Sequence, residues 1–432
     1  MSHKERNYWL DTVTRPRGTG STLTEAVDVA VIGAGFTGLS AARTFAKHGA
    51  RVVVLEAETI GWGASSRNGG MVLTGLKVPA QDLVQRYGME AAHRMYGASL
   101  TSIDCVERIV AEESIDCNFA RCGYLQVAAK LAHFDRFTRA AEFMAREFNH
   151  QRRVVPKSDL ASEIGSTRYY GGLVDELGAT VNPARYVAGL AKAAQKAGAE
   201  VYEHMRVAEI SRASRDGNTG FNLSTTRGSL FAQNVFVGTS GYTSAVVPKL
   251  RRKVIPLGSF IIVTEPLSEA VARELVPRNR MISDSKLYLH YYRLTPDRRM
   301  LFGGRAAFFP ETPNTIRKSV DILRRDLIEV YPQLRNVKVE YAWGGTIDFT
   351  FDMMPHAGQM DGVYYAVGYA GHGVAMATYL GMKVAETACG GGTDGNPFRD
   401  IPFPGAPLGL YRRTPWFLPL AGGWYKVLDW VS

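Results

Sequence analysis

VDVAVIGAGFTGLSAARTFAKHGARVVVLEAETIGWGASSRNGG, residues 27–70, is the stretch that decides the fold. An apolar run at 29–32 opens directly into the turn GAGFTG. A helical pattern follows and ends at Gly49. A second apolar run at 52–55 then stops at Glu56. The stretch predicts a strand, a tight glycine turn, a helix, a second strand and a terminal acid.

Each part of this unit has a physical reason at this spacing. Gly33 permits the tight turn, Gly35 lets a pyrophosphate approach the backbone, and Gly38 lets helix and strand pack closely. The helix N-terminus offers free N–H groups to the phosphates. Glu56, at the end of the second strand, can accept hydrogen bonds from ribose hydroxyls. We therefore predict a dinucleotide-binding unit; the alternative is a glycine-rich turn in another α/β fold.

A second glycine turn lies far along the chain. Residues 362–373, GVYYAVGYAGHG, again read as strand, turn and helix start, and the helix extends to about Cys389. Two such turns suit the two ends of one long cofactor. The positive end of the second helix dipole would stabilise negative charge on a reduced ring.

Composition restricts the class of protein. The 432 residues are 46% hydrophobic and 21% charged, which is typical of a large globular chain with two joined domains. The net charge of +10 is scattered, which favours a solvated surface over weak membrane attraction, and either over nucleic acid. The four cysteines lack metal spacing, so we predict no metal site and a reducing, cytoplasmic location. No signal core and no membrane-spanning apolar run occur.

The predicted fold class is α/β: a Rossmann-like cofactor domain interleaved with an α+β substrate domain built on a mostly antiparallel sheet. Alternating runs such as 286–293 indicate that second sheet. The predicted division is an N-terminal arm (1–26), a discontinuous cofactor domain (27–78, 153–250 and 345–395), a substrate domain (79–152 and 251–344) and an aromatic C-terminal tail (396–432).

Several motifs together resemble the FAD-dependent D-amino-acid oxidase superfamily, which includes glycine and sarcosine oxidases. They are the first glycine turn, GWGASSRNGG at 61–70, MLFGGR at 300–305, GGTIDFTFDMMPHAG at 344–358 and GYAGHGVAMA at 368–377. Within it, the chain is most similar to the gamma-glutamylputrescine oxidase group. The resemblance implies FAD and oxidation of a C–N bond by hydride transfer to flavin N5, giving an imine or aldehyde and H2O2. Residues 341–345 lack the flavin-linking cysteine of sarcosine oxidases, so we expect non-covalent FAD.

The resemblance and the turns predict one set of cofactor-binding residues: Gly33, Gly35, Phe36, Thr37, Gly38, Glu56, Ala57, Gly63, Ala64, Ser65, Ser66, Arg67, Asn68, Gly69, Gly70, Val207, Thr239, Gly241, Gly344, Gly371, His372, Gly373, Val374 and Ala375.

The candidate catalytic residues follow from the same resemblance. Arg305 is the first candidate for a substrate carboxylate, because a guanidinium grips a carboxylate with two hydrogen bonds; the alternative is a surface arginine. Tyr292 could line an amine cage or lie in the core. His372 lies near the flavin or only orients the backbone. Trp343 and Tyr369 complete the set.

Three interpretations of the function stay open: an oxidase, a dehydrogenase and a flavoprotein without catalysis. The substrate is an amine or amino acid, and the electron acceptor is O2 or a quinone. Leu301 occupies the position of the oxygen-activating lysine of sarcosine oxidases, which favours a quinone-linked dehydrogenase. A flavoprotein without catalysis is the third reading. The aromatic tail either packs on the body or makes peripheral membrane contact at the inner face of the membrane.

Overall fold

A computed structural model describes residues 3–20, 22–304, 312–392, 395–406 and 411. Two large sheets organise these residues. The strands, in chain order, are β1 (Ala26–Ile32), β2 (Val52–Leu55), β3 (Met71–Val72), β4 (Tyr124–Val127), β5 (Arg153–Pro156), β6 (Gly171–Asp175), β7 (Ala179–Thr180), β8 (Glu200–Tyr202), β9 (Val207–Arg215), β10 (Asn218–Thr225), β11 (Gly228–Val237), β12 (Val254–Thr264), β13 (Met281–Asp284), β14 (His290–Leu294), β15 (Met300–Gly304), β16 (Val339–Thr350), β17 (His356–Met360) and β18 (Val363–Val367).

Helices cover the sheets. They are α1 (Phe36–Lys47), α2 (Ala64–Arg67), α3 (Ala80–Tyr87), α4 (Met89–Glu112), α5 (Leu131–Phe148), α6 (Pro183–Lys196), α7 (Pro248–Arg251), α8 (Glu269–Leu275), α9 (Pro313–Val330) and α10 (Gly373–Ala388). Among the described residues, none of these helices combines the length and apolar composition that crossing a membrane requires.

The first sheet has the order β17-β18-β11-β1-β2-β8, and strands from β18 to β8 run parallel. A β9-β10 hairpin joins it through β11. The apolar runs of the opening stretch are buried on both faces, as parallel strands under helices require. Helix α1 packs between α6 and α10 on one face. The predicted Rossmann-like unit is confirmed.

Gly33 and Gly38 explain how the turn between β1 and α1 closes. Gly33 has φ +101°, a conformation that side-chain-bearing residues rarely adopt. A Cβ on Gly38 would lie 1.9 Å from the Gly33 carbonyl oxygen, so only glycine fits there. The glycine spacing therefore sets both the turn and the approach of helix to strand.

The second sheet has the order β16-β12-β15-β14-β13-β4-β6-β5. Every pairing is antiparallel except that of β13 with β4. An apolar cluster beneath it packs against α9, with Phe260 and Phe302 among its fully buried members. The predicted mostly antiparallel sheet is confirmed.

The N-terminal segment contacts both halves of the chain. Trp9 is fully buried, and its indole Nε1 donates to the Asn68 carbonyl at 3.0 Å. The Asn7 side chain donates to the Ser66 carbonyl at 2.7 Å. Lys4 forms a parallel bridge with Tyr341 at the edge of β16. These contacts fix the loop after β2 from outside.

The two sheets do not follow the predicted domain limits everywhere. Strands β5 and β6 pair in the second sheet, although 153–250 was assigned to the cofactor domain. Conversely, α4 packs on α10 and contributes to the core of the first sheet. Short strands carry too little pattern to show which sheet they join. The domain limits stay predictions.

Candidate functional site

A cavity of about 1070 Å³ lies between the two sheets. Its walls include both glycine turns, the end of β2 and the small-residue loop at 61–69. Residues from β4, β6 and α5 line its other end. The cavity therefore joins the elements that the sequence predicted for a dinucleotide to a region of the second sheet.

The first glycine turn presents an open helix end. Gly35 is the N-cap of α1 and makes no side-chain capping bond, and the first turn holds no acid. The Ser65 hydroxyl accepts a hydrogen bond from the Phe36 N–H at 2.9 Å, which ties α2 to this turn. A Cβ on Gly35 would lie 2.8 Å from the Ser65 oxygen. The turn thus keeps a bare backbone facing the cavity, as an anion site needs.

Glu56 is held by backbone at the end of β2. Its Oε2 accepts from the Ala34 N–H at 2.7 Å and its Oε1 from the Glu58 N–H at 2.9 Å. Burial raises the pKa of this carboxyl, and the two backbone N–H groups act against that rise. The carboxylate is fixed at the cavity wall, where it can accept hydroxyl hydrogen bonds.

The second glycine turn places His372 at the cavity wall. His372 is the N-cap residue of α10, which has no side-chain cap and no acid in its first turn. Burial lowers the pKa of His372 to about 4, and Lys77 adds to this effect, so its ring is neutral near pH 7. Its Nδ1 is buried and has no hydrogen-bond partner among the described residues. A buried nitrogen of this kind implies a partner that the protein itself does not supply.

Tyr369 and Asp348 fix this turn from behind. The Tyr369 hydroxyl bonds to Thr37 Oγ1 at 2.8 Å, which links the two glycine turns directly. Asp348 is buried and accepts from the Gly368 N–H. Burial raises the pKa of this carboxyl. The relative position of the two helix ends is therefore set by side chains within the site.

A buried cation supports the small-residue loop. Arg293 Nη1 donates to the carbonyls of Gly70 at 2.9 Å and Val181 at 3.1 Å, and more weakly to Gly69 at 3.5 Å. Burial lowers the pKa of this guanidinium to about 10. Arg67 stacks on Trp62 with 4.5 Å between its Cζ and the ring centre. Arg293 thus stabilises the loop through its backbone carbonyls, and Arg67 stabilises it by stacking on Trp62.

These features fit FAD. Two uncapped helix ends face one long cavity, a bare glycine backbone lies at the first, and an unpartnered buried nitrogen lies at the second. The diphosphate chemistry suits the α1 end and Glu56 suits a ribose.

Most predicted cofactor residues line the cavity. These are Gly33, Gly35, Phe36, Thr37, Glu56, Ala57, Gly63, Ala64, Ser65, Arg67, Asn68, Gly69, Val207, Thr239, Gly371, His372, Gly373 and Val374. Six do not line it: Gly38, Ser66, Gly70, Gly241, Gly344 and Ala375. These six residues lie behind the cavity wall or pack against other parts of the chain. They can therefore affect the cofactor only through the residues that line the cavity.

The predicted catalytic residues divide in the same way. His372 and Tyr369 line the cavity. Tyr292 does not: its hydroxyl donates to Tyr169 at 3.0 Å within the core beneath the second sheet. Trp343 is also buried away from the cavity, with its indole N–H on the Arg67 carbonyl at 2.9 Å. Arg305 lies outside the described residues.

Alternation along β14 explains the difference at Tyr292. Successive strand residues point to opposite faces, so the cavity face carries Tyr291 instead. Its hydroxyl lies 3.1 Å from the Ser259 hydroxyl, and burial raises its pKa to about 12. Tyr292 thus takes the predicted core alternative, Tyr291 faces the cavity, and an amine cage stays a prediction.

Sequence reasoning missed the far end of the cavity. Arg136 and Arg139 of α5 and Arg152 after it line the wall, together with Asp175 at the end of β6. The arginine spacing on α5 was the available signal, but an isolated helix pattern does not show which face meets a cavity.

The fold and the cavity define a two-sheet, dinucleotide-binding protein. The sequence profile of the family described as "DAO: FAD dependent oxidoreductase" matches residues 28–387. This chain therefore belongs to that family of FAD-dependent oxidoreductases, and FAD is its cofactor.

Two curated relatives and one solved structure support this assignment. The gamma-glutamylputrescine oxidoreductase of Escherichia coli (strain K12) is 33% identical over 412 residues, 94% of each chain. The probable oxidoreductase OrdL of Haemophilus influenzae is 35% identical over 393 residues, 89% of this chain and 88% of that protein. Glycine oxidase from Geobacillus kaustophilus has a TM-score of 0.72 at 21% identity, covering 88% of this chain and 100% of that one. The last likeness confirms the fold.

Proposed function

We propose that this FAD-dependent oxidoreductase oxidises a C–N bond of a gamma-glutamylputrescine-like amine or an N-substituted amino acid. The observation that carries the proposal is the single cavity that joins both glycine turns to the second sheet. The extended similarity to a gamma-glutamylputrescine oxidoreductase supports the amine class. When bound, FAD accepts the hydride at N5 from the carbon beside an uncharged amine and is reoxidised by the acceptor.

The residues of the chain orient and insulate this chemistry. The open N-terminus of α10 stabilises negative charge that develops on its side of the cavity. His372 stays neutral above pH 5, so its role is to accept or donate a hydrogen bond rather than to carry charge. Tyr291 supplies an aromatic face on the second sheet. Arg305 stays a predicted carboxylate partner.

The acceptor has two candidates, and one observation bears on the choice. Leu301 is fully buried beneath the small-residue loop, with its Cδ2 3.7 Å from the position a Cβ on Gly69 would take. A leucine there provides no charge for stabilising superoxide. This favours a quinone acceptor over O2, whereas the sequence resemblance to the gamma-glutamylputrescine oxidase group favours O2 as acceptor and H2O2 as product.

The test is an anaerobic reduction experiment on the purified yellow protein. Gamma-glutamylputrescine, putrescine, N-methyl amino acids and D- and L-amino acids are mixed with it separately, and loss of flavin absorbance is followed. Bleaching by one class names the substrate. Fast recovery in oxygen with H2O2 identifies an oxidase; slow recovery that a quinone analogue accelerates identifies a dehydrogenase. Failure of every compound to bleach the flavin contradicts the proposal.

Two further predictions concern location. A cytoplasmic enzyme with peripheral membrane contact through the aromatic tail stays a proposal, because residues 407–410 and 412–432 lie outside the described residues. Flotation with anionic vesicles, compared between the full chain and a chain ending after 406, tests the contact.

A further inference from the structure

One end of the cavity, formed by α5, the chain after it and β6, has an unusual charge. Arg136, Arg139 and Arg152, here called the arginine wall, line it together with the apolar side chains of Phe137 and Leu173. The first two arginines are three residues apart and lie on one face of α5. Apolar side chains thus lie among the three arginines. Such a surface suits a ligand with a short carbon chain that ends in an anionic group.

The arginine wall lacks acidic partners among the described residues. Neither Arg136 nor Arg139 makes a hydrogen bond or ion pair with any residue that the structure describes. Arg152 makes one long hydrogen bond, Nη2 to the Ala140 carbonyl at 3.5 Å, and its Nε is buried without a partner in the described part of the chain. By contrast, the adjacent Arg153 pairs with Glu163. A buried guanidinium nitrogen without a partner costs free energy unless a ligand satisfies it.

The acid Asp175, which also lines this end, already has hydrogen-bond partners. Its carboxylate accepts from the Thr74 hydroxyl at 2.6 Å and the Leu177 N–H at 3.1 Å. Its Oδ1 also lies 3.2 Å from His150 Nε2. None of these hydrogen bonds goes to the arginine wall, and among the described residues Asp175 makes no ion pair with it.

The position of Arg152 relative to two tyrosines places its charge inside this end. Burial raises the pKa of both Tyr96 and Tyr124, and the charge of Arg152 opposes the rise in each case. Both tyrosines line the cavity. The half-buried Arg152 side chain is therefore near enough to both tyrosines for its charge to act on them.

We propose that the arginine wall is a carboxylate subsite, which selects amines that carry a carboxylate at the end remote from the oxidised C–N bond. The assignment rests on the proposed function for the identity of the amine end. Guanidinium groups bind carboxylates through paired, charge-assisted hydrogen bonds, which gives both affinity and direction. The cavity then orients its substrate from two ends, with the carboxylate at the wall and the amine toward the glycine turns.

A binding experiment separates this subsite from turnover. The probe is 4-acetamidobutanoate, which has a carboxylate and no basic amine; its primary amide is the uncharged control. Binding to the FAD-loaded protein is measured by calorimetry. We expect the carboxylate to bind and the amide to bind at least tenfold more weakly. Arg152→Gln should weaken the carboxylate about 10-fold to 100-fold, since a hydrogen bond to a charged group is lost.

The variants have matched controls. Arg146→Gln, on the same helix but outside the cavity and paired with Glu147, should leave binding unchanged. Arg152→Lys should fall between wild type and glutamine, because it keeps charge but not the paired geometry. The double variant Arg136→Gln/Arg139→Gln tests the rim. Retained flavin absorbance and thermal midpoint show that each variant is folded.

The outcomes distinguish the two proposals. Equal binding of carboxylate and amide, or a carboxylate affinity that Arg152→Gln leaves unchanged, overturns the subsite. If amines without a carboxylate reduce the flavin as well as N-succinylputrescine does, the selectivity is overturned while the amine function stands. If the carboxylate probe binds through Arg152 and no amine reduces the flavin, the subsite stands and the proposed function falls.

Discussion

Gly381 is the residue whose replacement tests most directly how the two glycine turns are held together. It lies inside α10, where that helix crosses α1. A Cβ at this position would lie 2.3 Å from the Thr37 carbonyl oxygen and 3.1 Å from its carbonyl carbon. These are backbone atoms, so the contact cannot be relieved by a rotamer change. Gly381→Ala must push the two helices apart by roughly 1 Å, since ordinary contacts begin at about 3.4 Å.

The magnitude follows from comparison with a second helical glycine. Gly97 lies inside α4 and a Cβ there would meet nothing within 4 Å. Both alanines gain the same helix propensity, about 0.5 to 1 kcal/mol. The difference between Gly381→Ala and Gly97→Ala therefore isolates the overpacking cost, about 1 to 3 kcal/mol.

Thermal unfolding and FAD affinity provide the assay. We expect Gly97→Ala to unfold at or slightly above the wild-type midpoint and to keep its FAD. Gly381→Ala should unfold several degrees lower and bind FAD more weakly, because both helix ends at the cavity move. A Gly381→Ala protein as stable as the Gly97→Ala protein would refute the crossing geometry.

Three further predictions concern the site. Arg293→Met leaves buried carbonyls without a donor, so the thermal midpoint of the FAD-loaded protein should fall by the equivalent of at least about 2 kcal/mol; an unchanged midpoint contradicts the support described for the loop. Glu56→Gln replaces one of the two carboxylate oxygens that accept backbone N–H groups by an amide NH2, so the dissociation constant for FAD should rise roughly tenfold, whereas Glu209→Gln at an exposed position of β9 should not change it. His372 has a native pKa of about 4, below its ordinary 6.5, so the unfolded chain takes up the proton first. The apoprotein should lose stability as pH falls from 6.5 toward 4, and His372→Asn should reduce that loss in thermal melts; equal losses would show that the ring is not buried as described.

The sequence predicted best those features that depend on neighbouring residues. Gly33, Gly38 and Glu56 lie within one strand-turn-helix-strand unit, so their spacing alone specifies the turn and the acid. The second glycine turn was equally local. Fold class followed from the same units and from alternation along the longer strands.

Features that depend on packing between distant elements were not predictable. Tyr291 and Tyr292 are adjacent aromatic residues on one strand, and only the placement of the second sheet decides which of them faces the cavity. The crossing at Gly381 depends on a contact with α1, more than three hundred residues earlier, which leaves no local pattern. The arginine wall likewise arises because α5 packs against β5 and β6, which local patterns do not show.

The contacts of the N-terminal segment have a consequence for how the protein is made. The first residues of the described chain close the small-residue loop from outside and bridge to Tyr341, a partner 337 positions from Lys4. Contacts of such large sequence separation form late, because the intervening chain must first be closed into a loop. During synthesis, the site for FAD therefore cannot be completed until β16 has left the ribosome. An affinity tag on the first residues would therefore disturb the loop that contacts the cofactor. The amount of FAD-loaded protein, not the total amount of protein, is then the measurement that detects this disturbance.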